Sequence, residues 1–107
     1  CPPKHENVAR LVREHMDAGK YLDTRHACDR MAERRITLPE VLYVLRYGYH
    51  EKRKDEFMDL YNAWTYAMRG NTVDRRALRV CVSFDESGML IITTIDLGAQ
   101  ERRVRHD

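Results

Sequence analysis

Four polar residues between positions 26 and 34 have the types and spacing for phosphodiester chemistry. Arg30 lies four residues after His26, and Glu33 and Arg34 follow three and four residues later, so a helix would align all four on one stripe. A histidine can transfer a proton near neutral pH, and an arginine can hold a phosphate or stabilise its developing charge. A solvated helix face, with Glu33 paired to Arg30 or Arg34, fits the same spacing.

A second candidate group lies in the later half of the chain. Arg69 ends one predicted strand and Arg79 lies inside the next, so a return of the chain between them would bring the two together. Arginines on an open sheet face can grip an RNA backbone, and an aromatic ring such as Tyr66 or Tyr49 can stack on a base. The alternatives are cross-strand ion pairs for the arginines and a core position for Tyr66.

Other chemistry-bearing patterns are weak or missing. Thr93 and Thr94 interrupt an apolar strand, and either hydroxyl could contact a ligand or bond within the core. The sequence contains no glycine-rich nucleotide loop, no nucleophile elbow and no metal-ligand spacing of histidines or cysteines. We therefore predict no cofactor and no metal.

Length and composition predict a single soluble domain over residues 1–107. Hydrophobic residues make up 43% of the chain and charged residues 34%, which is typical of a folded protein with a charged surface. The sequence has no apolar run long enough for a membrane span and no visible signal peptide. The three cysteines, an odd number, favour reduced thiols and a cytoplasmic location, with Cys28 and Cys81 buried.

The distribution of charge along the chain is more informative about nucleic-acid binding than the net charge. With 19 lysines and arginines against 17 aspartates and glutamates, the net charge of +2 does not by itself indicate nucleic-acid binding. Basic residues nevertheless cluster at 50–54, 75–79 and 102–106, where they could form a local basic patch or a solvated, balanced surface.

The first half of the chain predicts three helices. Apolar residues at helical spacing indicate a helix over 6–18 that stops at Gly19, and a second over 25–35 capped by Asp23 or Thr24. The third begins at the capping-box sequence 37–40, with a proline in its first turn, and ends at Gly48. On the second helix, the predicted apolar side consists of Ala27, Cys28, Met31 and Ala32.

The second half changes to alternating apolar residues and predicts four strands. The segment 49–57 indicates a charged edge strand or ribbon, and 61–69 and 78–84 alternate with period two. Residues 89–97 are apolar on both faces and indicate a central strand. Short connections predict an antiparallel meander, so we expect an α+β fold with N-terminal helices packed on a four-stranded antiparallel sheet.

The segment from His26 to Ile36 resembles the H-A-x-x-R-M-x-E-R-x-I signature of a bacterial and archaeal family of unknown function. The segments 64–70, 78–84 and 91–95 resemble its W-x-Y-x-I-x-G, L-R-V-V-V and I-I-T-V strands. The likeness runs from about residue 21 to residue 97. Residues 1–20, a helical extension, and the charged tail 98–107 lie outside it.

This resemblance implies a RelE-like fold, because the family is similar to the RelE, BrnT and MqsR toxins of toxin–antitoxin modules. It implies a metal-independent endoribonuclease with RNA as substrate and a cognate antitoxin as partner. The implied catalytic residues are His26, Arg30, Arg69 and Arg79. The resemblance points more weakly to Thr93, and we predict Arg34, Tyr66 and Thr93 as the substrate-binding residues.

A non-catalytic module that binds a protein or a nucleic acid through the same surface is the alternative interpretation. The nearly balanced net charge favours it over a strongly basic ribonuclease. Fold alone does not decide between the two, because one fold hosts many functions.

Overall fold

The computed structural model describes residues 3–60 and 62–98, and over these residues the fold is α+β, as predicted. Three α-helices and a six-stranded sheet form it, together with a short 3-10 helix at Lys52–Lys54. The helices are α1 (Val8–Asp17), α2 (Arg25–Arg34) and α3 (Leu38–Tyr47). The strands are β1 (Tyr21–Asp23), β2 (Tyr49–His50), β3 (Glu56–Met58), β4 (Ala63–Asn71), β5 (Ala77–Asp85) and β6 (Gly88–Asp96).

The helix boundaries follow the local signals in the sequence. The Thr24 side chain caps α2 by accepting a hydrogen bond from the Ala27 backbone N–H. At α3 both halves of the predicted capping box form, between Thr37 and Glu40. Gly19 follows α1 with a φ of 68°, a left-handed conformation that favours glycine. All three predicted helices are confirmed, with boundaries that shift by a few residues.

The sheet differs from the predicted four-stranded antiparallel meander. Its strand order is β1-β6-β5-β4-β2, and β3 also pairs with β4. Strands β4, β5 and β6 form the antiparallel meander, but β1 lies parallel to β6, which makes the sheet mixed. The prediction missed β1 because three residues carry almost no periodicity of their own and pair only where β6 offers an edge.

One further strand prediction needs correction, and another is confirmed. The predicted ribbon over 49–57 is broken by the 3-10 helix into β2 and β3, which both pair with β4. The apolar strand predicted over 89–97 is β6, and it is an interior strand between β1 and β5, as predicted. Helix α2 contacts β6, and the Thr24 N–H before this helix donates to the Ile91 carbonyl.

One face of the sheet carries the hydrophobic core. Side chains from all three helices meet the inward residues of β4, β5 and β6 there. The large buried residues are Val8, Val12, Val41, Val44, Leu45, Tyr66, Met68, Leu78, Val80, Val82, Met89 and Ile91. Because Val8 and Val12 are fully enclosed, α1 is an integral part of this core.

The opposite face of the sheet, which we call the open face, carries the alternate residues of the same strands. Alternation along the strands places Arg69 and Arg79 on it, with Cys81 and Ser83 further along β5. The prediction of two buried cysteines is wrong for Cys28, which lies exposed on α2 and donates its thiol hydrogen to Asp23. Ala32, predicted on the apolar side of that helix, is also exposed.

Thr94 is a buried polar residue on the core side of β6. Its Oγ1 has no hydrogen-bond partner within the described part of the chain. A buried hydroxyl without a partner carries its desolvation cost uncompensated, so Thr94→Val is expected to raise the free energy of unfolding by about 1 kcal/mol. Chemical denaturation measures the change, and Thr93→Val, a change on the open face, is the control with no expected gain. A destabilised Thr94→Val protein would contradict the assignment.

The charged tail falls almost wholly outside the described residues, and so does Cys1. Within the described ranges, the chain has no helix with the length and apolar character needed to cross a membrane.

Candidate functional site

Arg69 and Arg79 are directly paired across β4 and β5, as the sequence predicted. Both guanidinium groups bind one carboxylate, that of Glu51: Arg79 Nε lies 2.7 Å from Oε1, and Arg69 Nη1 lies 3.2 Å from Oε2. Arg53 extends the group, with Nη2 at 3.9 Å from Oε2 of the same carboxylate. The arginine cluster therefore consists of Arg53, Arg69 and Arg79 around Glu51.

Burial in this cluster increases towards the carboxylate. The exposed fraction of the side chain is 79% for Arg53, 32% for Arg69, 14% for Arg79 and 5% for Glu51. The hydrogen bond from Arg79 lowers the pKa of Glu51, and the bond from Arg69 adds to it against the opposing effect of burial. Glu51 is thus an ionised carboxylate beneath more exposed cations, and the cluster keeps a net positive charge.

Aromatic residues near this cluster divide between the two faces. Tyr49 lies opposite Arg69 in the β2–β4 pairing and is 56% exposed, so its ring is available for stacking beside the arginines. Tyr66, predicted to bind substrate, is only 2% exposed in the core, where its hydroxyl accepts a hydrogen bond from the His5 N–H. The structure therefore leaves Tyr49, of the two tyrosines considered, as the accessible one.

A groove of about 640 Å³ occupies another part of the open face. One end is formed by the start of α2, including His26, and the opposite wall by Met58 and Leu60. Its floor carries Thr65 and Ser83, together with apolar residues of β6. His26 is exposed, so an imidazole able to transfer a proton borders a largely apolar groove.

The structure does not bring the four predicted catalytic residues into one cluster. Arg79 lies four residues from Ser83 of the groove floor, a distance of about 13 Å along an extended strand. Arg30 lies on α2, one turn after His26, and its Nη1 is 2.5 Å from Oε2 of Glu33. The open face thus holds two separate halves, with His26 and Arg30 on α2 and the arginine cluster on the sheet.

The predicted substrate-binding residues Arg34 and Thr93 have different environments. The Arg34 guanidinium donates to the Thr94 carbonyl, which ties the end of α2 to β6. Thr93 pairs with Cys81 on β5 and is partly exposed on the open face. Burial raises the pKa of the Cys81 thiol to about 11, so this cysteine stays protonated and is a poor nucleophile near neutral pH.

The most informative residue missed at the sequence level is Glu51. Its signal is a single acid inside the basic run 50–54, and the sequence pattern gives no specific partner for it. The exposed residues Lys52 and Lys54 of that run do add positive charge beside the cluster. Arg76 of the second basic run does not, because Glu40 and Asp96 both bind it.

A second buried carboxylate lies on the core side of the sheet. The Asp55 side chain is 1% exposed and accepts hydrogen bonds from the Ala67 N–H at 3.0 Å and from His50 Nε2 at 2.8 Å. Lys4 Nζ lies 2.6 Å from the same carboxylate and 4.9 Å from the centre of the Trp64 ring. These contacts join the N-terminal segment to β4 and to the turn that follows β2. The role of Asp55 is therefore structural. Within residues 3–60 and 62–98, no three metal-ligating side chains come together.

Comparison with known proteins yields one family. Residues 24–96 match the family model described as a domain of unknown function, DUF4258. The chain belongs to this family. The matched part of the DUF4258 domain begins at the cap of α2 and ends with β6, so it includes the groove and the arginine cluster but not α1 or β1. No curated protein and no solved structure matches the chain.

Proposed function

We propose that this DUF4258 domain binds single-stranded RNA on the open face of its sheet and cleaves it as a metal-independent endoribonuclease of the toxin type. The observation that carries the proposal is the paired Arg69 and Arg79, which one buried carboxylate binds on the sheet face opposite the core. Guanidinium groups bind phosphate oxygens through charge-assisted hydrogen bonds, and Tyr49 beside them offers a stacking surface. An antitoxin protein is the proposed partner in the cell.

The two halves of the open face take different roles in this proposal. The arginine cluster anchors one phosphate of the strand, and His26 acts at another phosphodiester that lies in the groove. There the 2′-hydroxyl attacks phosphorus, the bond to the 5′-oxygen breaks, and the products end in a 2′,3′-cyclic phosphate and a 5′-hydroxyl. His26 accepts the proton of the 2′-hydroxyl and returns it to the departing 5′-oxygen, and Arg30 stabilises the charge that develops on the phosphoryl oxygens after leaving Glu33.

Cleavage of a short RNA in EDTA tests this division of roles. His26→Ala is expected to lower kcat roughly 100-fold or more with KM little changed, since general acid–base catalysis contributes about 10²–10⁴ in rate. Arg79→Ala is expected mainly to raise KM, because it removes an anchor for the phosphate. A substrate with 2′-deoxyribose at the cleaved position should be resistant.

Two surface changes serve as controls. Glu6→Ala alters an exposed residue before α1, and Arg10→Ala removes a cation on α1 that pairs with Glu14. Both should leave cleavage unchanged. Wild-type activity in His26→Ala would refute its proposed role, and equal losses in all four variants would indicate a general loss of structure.

A non-catalytic RNA-binding module is the second candidate. The ion pair of Arg30 with Glu33 and the distance between His26 and the arginine cluster favour it. This alternative predicts RNA binding without cleavage and expression without growth arrest. Growth arrest that a neighbouring gene product relieves would favour the toxin instead.

A further inference from the structure

We infer that Glu51 is a positioning residue of the RNA-binding surface, whose buried carboxylate orients Arg69 and Arg79 to receive a phosphate. The inference rests on the proposed function and adds a residue to the site. Glu51 follows β2, and its N–H donates to the Ala67 carbonyl at 2.8 Å, so its backbone is fixed to β4. From there its two oxygens reach one arginine on each of two neighbouring strands.

The order of burial indicates that the carboxylate lies under the guanidinium groups. At 5% exposure Glu51 is less accessible than either arginine that it binds. Each of those arginines uses one nitrogen for Glu51, which leaves most of its N–H donors for a ligand. Two arginine side chains restrained in advance lose less conformational entropy when a phosphate binds than two free side chains would.

A competing interpretation makes Glu51 an internal anion that blocks the site. The two interpretations predict opposite signs for one substitution. If Glu51 only blocks, Glu51→Gln removes a negative charge and strengthens RNA binding. If Glu51 positions the arginines, the same change weakens binding although the protein becomes more positive.

Binding of a fluorescent, fully 2′-O-methylated RNA oligomer shows whether Glu51→Gln raises or lowers Kd, without interference from cleavage. We expect Glu51→Gln to raise Kd roughly tenfold, equivalent to about 1.4 kcal/mol. The matched control is Glu56→Gln, which removes the same charge from an exposed position opposite Thr65 in the β3–β4 pairing. This control should leave Kd unchanged or lower it slightly. Tighter binding by Glu51→Gln would overturn the inference.

A double substitution and a second variant ensure that the test does not depend on Glu51→Gln alone. In an Arg79→Gln background Glu51→Gln should have a much smaller effect, because the arginine to be positioned is gone. If Glu51→Gln does not fold, Glu51→Asp replaces it; this variant keeps the charge but is one methylene too short to bridge both arginines. Weaker RNA binding by Glu51→Asp supports positioning, and wild-type binding contradicts it.

Failure of the proposed function can be distinguished from failure of this inference. If the wild-type protein binds no oligomer, the proposed function is wrong, and the NMR signal of the Arg79 Nε–H group decides the role of Glu51. Positioning predicts a sharp, separate signal that shifts with inorganic phosphate and is lost in Glu51→Asp. An unchanged signal in that variant would overturn the inference.

Discussion

Gly48→Ala is expected to lower the free energy of unfolding by about 3–5 kcal/mol, the largest effect of a single added methyl group that we predict for this domain. A Cβ at Gly48 would lie 2.4 Å from the Arg69 carbonyl oxygen and 2.5 Å from that of Val44. Both atoms belong to the backbone, so neither α3 nor β4 can yield by rotating a side chain. Gly70 completes the close approach, since a Cβ there would lie 3.0 Å from the Gly48 Cα.

Gly19→Ala is the matched control for this prediction. Gly19 has a positive φ, but a Cβ there would meet no atom within 4 Å. The expected cost is therefore the conformational one alone, about 1 kcal/mol. Denaturant unfolding compares the two variants. Equal losses of stability would show that steric contact between α3 and β4 is not what requires glycine at position 48.

Arg76→Ala is expected to cost about 3 kcal/mol of stability, because one guanidinium joins three elements of the fold. Its Nη1 and Nη2 bind the carboxylates of Glu40 on α3 and Asp96 on β6, each at 3.0 Å. The same group donates to the backbone carbonyls of Arg34 and Arg35 at the end of α2. Burial alone would lower the pKa of Arg76, but its bonds to Asp96 and Glu40 raise it overall. Removal leaves both carboxylates and two helix-end carbonyls without this donor.

Thermal unfolding of three variants checks the prediction. Arg10→Ala removes an exposed pair between α1 residues and should cost less than about 0.5 kcal/mol. Arg76→Lys keeps the charge but cannot serve four acceptors on three elements, so most of the loss should remain. A small effect of Arg76→Ala would mean that its carboxylate partners find water instead.

The helices could be predicted from sequence because their signals are local. Thr24 caps α2 and Thr37 caps α3 through backbone groups only three residues away. Gly19 stops α1 by its own conformational freedom. No distant part of the chain has to be known to place these ends.

The pairing of Arg69 with Arg79 is close to the limit of what a local sequence pattern can predict. Alternation along β4 and β5 puts Arg69 and Arg79 on the same side, and a short turn brings them together. Glu51 lies beyond that limit, because it meets Arg79 from 28 positions away. Short strands such as β1 and β2 are equally difficult to predict from sequence. Two or three residues form a strand only where a neighbouring strand has an edge free for pairing.

The sequence by itself determined the α+β class, the three helices, the meander of β4, β5 and β6 and the residue types of the candidate site. Only the tertiary structure decided where those residues lie relative to one another. The position of α2 depends on the contact of Thr24 with Ile91, 67 residues away, and this places His26 at a groove apart from the arginine cluster. Helix caps and alternation act within a few residues, whereas the assembly of a site depends on packing between distant segments, which no local pattern encodes.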